Sequence, residues 1–273
     1  MMATECGAMV VYGGGTQGAK PEALQSTLLL KYGTPPDSAA DPESWEIEMV
    51  CILENTDSGP LPGVDFPVDA PVAESATHGR VELNPYPEAE IRRDSRGNQK
   101  VMFSLSGIPP CGKKIVSVKA RWTAPAKAQP LSDMDRDRYP AEDPGMGARH
   151  SIVAETVRRL KGSPPQGTAR ALYAYMIGVV ENKTDGRPDT GWGSAGLMTA
   201  LCRAAGIPAR VMGGYLKGSC SRHEMVRRHH WAEFHDGFRW RVADCTQQRF
   251  AVEDNHYLAT RACGGVPGRE EES

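Results

Sequence analysis

The chain has 273 residues, which is enough for one large domain or two ordinary ones. Its formal net charge of −2, from 32 basic and 34 acidic residues, excludes the strongly basic surface of most nucleic-acid-binding proteins. No apolar run approaches the length that spans a bilayer, so we expect no membrane segment. Seven cysteines, an odd number, and an N-terminus without the basic part of a secretory signal predict free thiols in the cytoplasm.

The first part of the chain predicts a β-domain. Residues 1–22 are predicted to be a flexible arm, in which Gly13–Gly18 matches the dinucleotide motif G-x-G-x-x-G. Pro21 follows where that motif requires a helix, so we do not expect a nucleotide site. Residues 23–123 contain several short candidate strands, of which 45–53 alternates every second residue. Turns rich in Gly, Pro and Asn separate these strands, which predicts an antiparallel β-sandwich.

The second part of the chain predicts an α+β domain. Residues 124–148 are rich in Pro, Gly and charged side chains and are predicted to be a linker. Residues 149–260 are predicted to form the core, in which three amphipathic helices precede the strands. Gly206 and Pro208 are expected to end the third helix. Residues 261–273 are predicted to be a disordered tail. The strands are expected at about 210–215, 229–235 and 238–244.

A predicted hairpin brings a histidine and an aspartate together. The dipeptide Asp236–Gly237 lies between two alternating segments and is typical of a two-residue β-turn. Such a turn pairs His235 with Phe238. The same ladder then places His229 directly opposite Asp244, on one face and with Cβ atoms about 5 Å apart. The hairpin therefore predicts a hydrogen bond between these two side chains.

The predicted His229–Asp244 pair is suited to act as a general base. A carboxylate beside an imidazole holds the ring in one tautomer and stabilises its protonated form. Strand alternation selects His229 and turns His230 to the opposite face. Trp231, on the same face as His229, indicates a partly buried setting. The alternative interpretation is a solvated His–Asp pair on the surface of a sheet.

Three short motifs follow one another between residues 191 and 246. They are Gly-Ile-Pro-Ala-Arg at 206–210, His-x-Trp-Ala-Glu at 229–233 and Asp-x-Thr at 244–246. Together they resemble the core of the transglutaminase-like superfamily. The resemblance implies a papain-like α+β core after a β-sandwich. It also implies a Cys-His-Asp triad for acyl transfer on amides or thioesters, with the histidine and aspartate that begin the second and third motifs in their usual roles.

The resemblance leaves the nucleophile position without a thiol. In the family, the cysteine begins the helix that ends in Gly-Ile-Pro-Ala-Arg, and Trp192 together with residues 206–210 places Gly191 at that position. A helix N-terminus favours a thiolate and offers donors to an oxyanion. Three hypotheses stay open: removal of the cysteine by engineering, natural loss with His229 activating water or a substrate group, and binding without turnover. A His–Asp enzyme for cyclisation or proton transfer is a further alternative.

The remaining candidates concern substrate contacts. Trp192, Trp231 and Cys220 are predicted to contact the substrate, and Cys220 is the best alternative nucleophile. Cys202 is predicted to lie in the core, and Cys245 is predicted to face away from the pair. The expected partner is a small-molecule, peptide or carrier-bound acyl substrate. We expect no cofactor and no metal, because the cysteines and histidines lack the spacing of zinc ligands.

Overall fold

Both predicted types of secondary structure are present in the computed structural model, which confirms the α+β class. Thirteen strands and three helices occur in the part of the chain that the structure describes. That part comprises residues 8–11, 24–33, 44–132, 135, 139, 151–162, 164–181, 192–216, 228–252 and 256–263. The chain divides into two units: residues 1–74, 78–124 and 216–227 form the first, and residues 75–77, 125–215 and 228–273 form the second.

The first unit consists of two antiparallel sheets. Its strands are β1 (Ala8–Val11), β2 (Leu24–Gly33), β3 (Ser44–Asn55), β4 (Val64–Ala70), β5 (Val81–Tyr86), β6 (Glu90–Arg93), β7 (Gln99–Leu105) and β8 (Lys113–Thr123). One sheet has the order β1-β2-β3-β8-β5 and the other has the order β4-β7-β6. The alternation predicted for residues 45–53 buries Ile47, Met49 and Leu53 in β3. β4 and β7 also bury every second residue, as sheets with one covered face do.

The second unit combines three helices with one antiparallel sheet. Its elements are α1 (Ser151–Leu160), α2 (Pro165–Glu181), α3 (Trp192–Ala204), β9 (Ala209–Leu216), β10 (Arg228–His235), β11 (Trp240–Asp244), β12 (Arg249–Phe250) and β13 (Tyr257–Cys263). The sheet has the order β12-β11-β10-β9-β13. No helix within the described ranges has the length and apolarity needed to cross a membrane.

The helices of the second unit pack on one face of its sheet. Met198 and Cys202 of α3 are buried in a cluster with Ala232 and Phe234 of β10. Since side chains alternate along a strand, the odd-numbered residues of β10 point to the other face. The helix α3 ends as predicted, because Gly206 adopts a φ of 83°, which favours glycine.

Three segments depart from the predicted boundaries. Ala8–Val11 form a strand paired with β2, inside the segment predicted to be a flexible arm. Gln129, in the predicted linker, is buried, and its N–H donates to the carbonyl oxygen of Phe238 at 2.8 Å. β13 continues to Cys263, so residues 261–263 are a strand rather than the start of a disordered tail. Each departure depends on a backbone contact with another segment of the chain, which local composition does not encode.

The β10–β11 hairpin has a longer loop than predicted. His235 pairs with Trp240 instead of Phe238, so the connection contains four residues. The carboxylate of Asp236 accepts hydrogen bonds from the N–H groups of Phe238 and Arg239, at 2.8 and 3.0 Å. These bonds stabilise the wider loop in the way that aspartate closes many turns. The ladder is displaced by two residues, and a displacement of two leaves every side chain on its predicted face.

Candidate active site

His229 and Asp244 form the hydrogen bond that the hairpin predicts. His229 Nε2 lies 2.7 Å from Asp244 Oδ2, and the two residues are only 5% and 1% exposed. The ladder pairs Ala232 with Ala243, so its continuation places Asp244 opposite Trp231. Asp244 therefore reaches His229 along the diagonal, where Cα atoms are about 7–8 Å apart and long side chains still meet.

Asp244 has donors on both carboxylate oxygens. Oδ2 accepts from His229 and from the hydroxyl of Tyr257, the latter at 2.9 Å. Oδ1 accepts from the N–H and the hydroxyl of Thr246, at 3.0 and 2.8 Å, and from the N–H of Gln247 at 3.1 Å. Burial alone raises the pKa of Asp244, but the hydrogen bond and charge of His229, with the donors of Gln247 and Thr246, hold that pKa below its ordinary value.

The Asp244 carboxylate determines which tautomer the neutral His229 ring adopts. An ionised carboxylate accepts hydrogen bonds only, so Nε2 of the neutral ring carries the proton and Nδ1 carries the lone pair. The hydroxyl of Thr246 lies 3.2 Å from Nε2 and shares that side of the ring. Within the described ranges no hydrogen bond occupies Nδ1 of His229. The proton-accepting atom of this pair is therefore Nδ1.

Trp231 packs beside the pair and is fully buried. The indole and the His229 ring are inclined by 16°, with centroids 6.4 Å apart. The Tyr257 ring lies on the same indole at 4.8 Å. This placement makes Trp231 a support for the imidazole, whereas the sequence predicts a substrate contact there.

A buried ion pair lies next along β10. Glu233 Oε2 accepts from Nε and Nη2 of Arg210 at 3.0 and 2.8 Å, and both side chains are at most 6% exposed. Oε1 of Glu233 accepts from the N–H of Ala76 at 3.0 Å and lies 3.5 Å from the indole nitrogen of Trp231. Burial lowers the pKa of Arg210, but the charge and hydrogen bond of Glu233, together with those of Tyr139, raise that pKa above its ordinary value.

Sequence reasoning missed three of these contributors: Tyr257, the Arg210–Glu233 pair and residues 75–77. Arg210 and Glu233 do occur in the recognised motifs, so the motifs themselves carried a signal for the ion pair. Tyr257 and residues 75–77 lie outside every motif. No local pattern connects either of them with His229.

His230 lies on the opposite face of the sheet. It pairs with Gly213 of β9, and a Cβ on that glycine would lie 3.2 Å from the imidazole of His230. The same Cβ would lie 3.8 Å from the sulfur of Cys263, which is buried with Ala195 of α3 and Val211 of β9. His230 therefore belongs to the face that α3 covers, and it does not reach the carboxylate of the pair.

The remaining candidate residues are Gly191, Trp192 and three cysteines. Gly191 and Cys220 lie outside the described residues, and Trp192 is the first residue of α3. Cys202 is fully buried, and burial raises the pKa of its thiol to about 12, which makes it a poor nucleophile. Cys245 is buried in the helix-facing cluster, as predicted. Among the described residues, no three His, Cys, Asp or Glu side chains are arranged to hold a metal ion.

One family model matches the region that contains the pair. Residues 154–245 match the family described as the transglutaminase-like superfamily. The structure of a "putative cysteine protease" from Cytophaga hutchinsonii is 15% identical, with a TM-score of 0.47 and 82% of each chain covered. A "putative protease" from Parabacteroides distasonis is 10% identical, with a TM-score of 0.26 over 81% of this chain and 68% of that one. No curated protein sequence matches the chain.

Proposed function

We propose, from the transglutaminase-like domain that residues 154–245 form, that the chain catalyses acyl transfer or hydrolysis at an amide, ester or thioester. One observation carries this proposal. His229 is buried, its Nε2 is 2.7 Å from Asp244, and its Nδ1 is free of hydrogen bonds within the described ranges. A solvated surface pair, the alternative interpretation of the same residues, has neither this burial nor this number of donors on the carboxylate.

In the proposed reaction His229 moves one proton. Nδ1 accepts the proton of the attacking group as that group forms its bond to the acyl carbon. Asp244 stabilises the resulting imidazolium, as the third member of a triad does. The bond from the acyl carbon to nitrogen, oxygen or sulfur then breaks, and Nδ1 returns the proton to the leaving group. A general base of this kind typically contributes about 10²–10⁴-fold to the rate.

The attacking group depends on position 191. Where the family has cysteine this chain has Gly191, directly before α3. We propose that His229 therefore activates water or an acceptor group of the substrate. The missing thiol also favours a second candidate function, in which the protein binds an acyl compound without turnover. The two functions differ in whether His229 is needed for more than affinity.

The decisive experiment compares two adjacent histidines. His229→Ala removes the proposed base, and His230→Ala is the matched control, because His230 lies on the opposite face of the same strand. Each variant is assayed with a panel of nitrophenyl esters, acyl thioesters and peptide amides, while ligand affinity is followed by calorimetry. We expect turnover to fall about 10²–10⁴-fold in His229→Ala, with affinity nearly unchanged and His230→Ala close to the wild type. Binding without turnover in every protein would support the binding function instead.

A restored thiol gives a second test of the same site. We expect Gly191→Cys to be alkylated by iodoacetamide at a pH well below the ordinary thiol pKa of about 8.5, because a helix N-terminus and a neighbouring imidazole favour the thiolate. Adding His229→Ala to this variant should move the labelling profile toward that ordinary value. A profile that is ordinary in both proteins would count against a preserved triad geometry.

A further inference from the structure

Tyr257, the first residue of β13, reaches the pair from the far edge of the sheet. Two strands separate β13 from β11, yet the Tyr257 hydroxyl is 2.9 Å from Asp244 Oδ2. A glycine in β9 permits this approach. Any Cβ on Gly214, which pairs with His229, would overlap the carbonyl oxygen of Leu258. The missing side chain at Gly214 therefore allows β13 to come close enough for Tyr257 to reach Asp244.

The position of Tyr257 is secured at its main chain and at its ring. The hydroxyl of Thr77 donates to the carbonyl oxygen of Tyr257 at 3.2 Å. The neighbouring residue Ala76 donates its N–H to Glu233. Trp231 packs against the phenol ring, and Tyr257 is 1% exposed. A phenol held in this way presents its hydroxyl to one carboxylate oxygen in a defined direction.

We propose that Tyr257 is a positioning residue, whose hydroxyl fixes the Asp244 oxygen that orients His229 and shares that oxygen's negative charge. The proposal deepens the proposed function and rests on His229 as its base. Without the hydroxyl, His229 is the one donor that Oδ2 keeps within the described ranges, and the carboxylate gains freedom to rotate. The carboxylate also presents more charge to the imidazolium, so the pKa of His229 should rise while the ring becomes less ordered.

Few other charged groups face His229 within the described ranges. Glu233, four residues further along β10 and on the same face, is neutralised by Arg210. Arg249 pairs with Asp244 in the β11–β12 ladder, and Arg228 precedes His229 and is exposed. None of these groups changes when a tyrosine hydroxyl is removed. A change in the titration of His229 therefore reports the hydroxyl itself.

The test is Tyr257→Phe, with Tyr173→Phe as the matched control. Both changes delete one phenol hydroxyl near Asp244. The Tyr173 hydroxyl lies 3.5 Å from the main-chain carbonyl oxygen of Asp244, whereas the Tyr257 hydroxyl contacts its carboxylate. The readout is the titration of the His229 ring by nitrogen-detected NMR, which needs no substrate. We expect a higher imidazole pKa in Tyr257→Phe alone. Where a substrate is known, kcat should fall about tenfold with KM nearly unchanged, since a hydrogen bond to a charged group is lost.

A second replacement keeps the hydroxyl and reverses the expected change. Incorporation of 3-fluorotyrosine at position 257 alone makes the phenol a stronger donor, so the pKa of His229 should fall below that of the wild type. Opposite shifts in the two replacements support the proposal. An unchanged His229 titration in both overturns it, and so does an equal shift in Tyr173→Phe. Because the NMR titration involves no turnover, a failure of Tyr257 as a positioning residue is distinct from a failure of the acyl-transfer proposal.

Discussion

The buried Arg210–Glu233 pair offers the sharpest test of how the site is held. Glu233→Gln keeps the volume of the side chain, but it removes the charge and leaves one acceptor oxygen where Arg210 and the N–H of Ala76 now use two. Glu233 is 0% exposed and Arg210 is 6% exposed, so water cannot replace the lost carboxylate. The guanidinium also lies 4.1 Å from the centroid of the Trp240 ring, which prevents it from swinging into solvent without disturbing the core.

The magnitude follows from the asymmetry of buried ion pairs. Replacing both partners by apolar residues is often neutral, but removing one partner costs about 3–5 kcal/mol, because a buried charge is left uncompensated. Glutamine still accepts a hydrogen bond, so we expect a loss of about 3 kcal/mol in the free energy of unfolding. That loss is a large part of the total for a domain whose stability is roughly 5–15 kcal/mol.

The assay is urea unfolding of full-length protein, followed by tryptophan fluorescence. The matched variants are Arg210→Met/Glu233→Leu, which should recover most of the stability, and Glu82→Gln, which removes one partner of an exposed pair and should change little. A loss below about 1 kcal/mol in Glu233→Gln would refute the reasoning, since it would mean that the guanidinium is solvated or neutralised elsewhere. Equal losses in the single and double variants would instead assign the cost to packing.

Three further predictions concern variants at Asp244, Gly214 and Gly196. The folded-state pKa of Asp244 is lowered, so its stabilising contribution is present above the ordinary aspartate pKa of about 3.9 and is lost as the pH falls through the folded value. Unfolding measured between pH 3 and 7 should therefore show a weaker acid dependence in Asp244→Asn, and identical slopes would contradict this sign. Gly214→Ala should destabilise the protein by about 1–3 kcal/mol or more through overlap with Leu258. In contrast, Gly196→Ala in α3 meets nothing within 4 Å and should raise the thermal midpoint, with a gain of roughly 0.5–1 kcal/mol; a loss would reveal a contact at that position.

Local sequence patterns predicted those elements whose position depends on neighbouring residues. The helix α3 ends at Ala204, before a glycine with positive φ, and Pro208 follows where a helix cannot continue. The nine-residue alternation at 45–53 lies within β3. These features depend on propensities of neighbouring residues. Strands β1 and β13 were missed because each depends on pairing with another strand, β2 and β9 respectively, which its own residues do not reveal.

The hairpin shows why a wrong register still selected the right histidine. The dipeptide Asp236–Gly237 favours a two-residue turn, but the side chain of Asp236 instead closes a four-residue loop. The ladder moves by two residues, so His235 pairs with Trp240. A displacement of one residue would have put His230 on the face of Asp244, and the prediction would have chosen the wrong ring.

A short local pattern is therefore enough to predict the His229–Asp244 pair. The orientation of its imidazole depends on contacts that local sequence patterns do not predict. Facing the right side of the sheet requires only that the loop between β10 and β11 has an even number of residues. Holding the imidazole in one orientation requires donors around Asp244, and Tyr257 reaches Asp244 from β13, which two strands separate from β11 in the sheet. The approach of β13 depends in turn on the missing side chain at Gly214. The orientation of the His229 ring accordingly depends on long-range packing, and variants at Tyr257 and Gly214 should alter that orientation without changing either member of the pair.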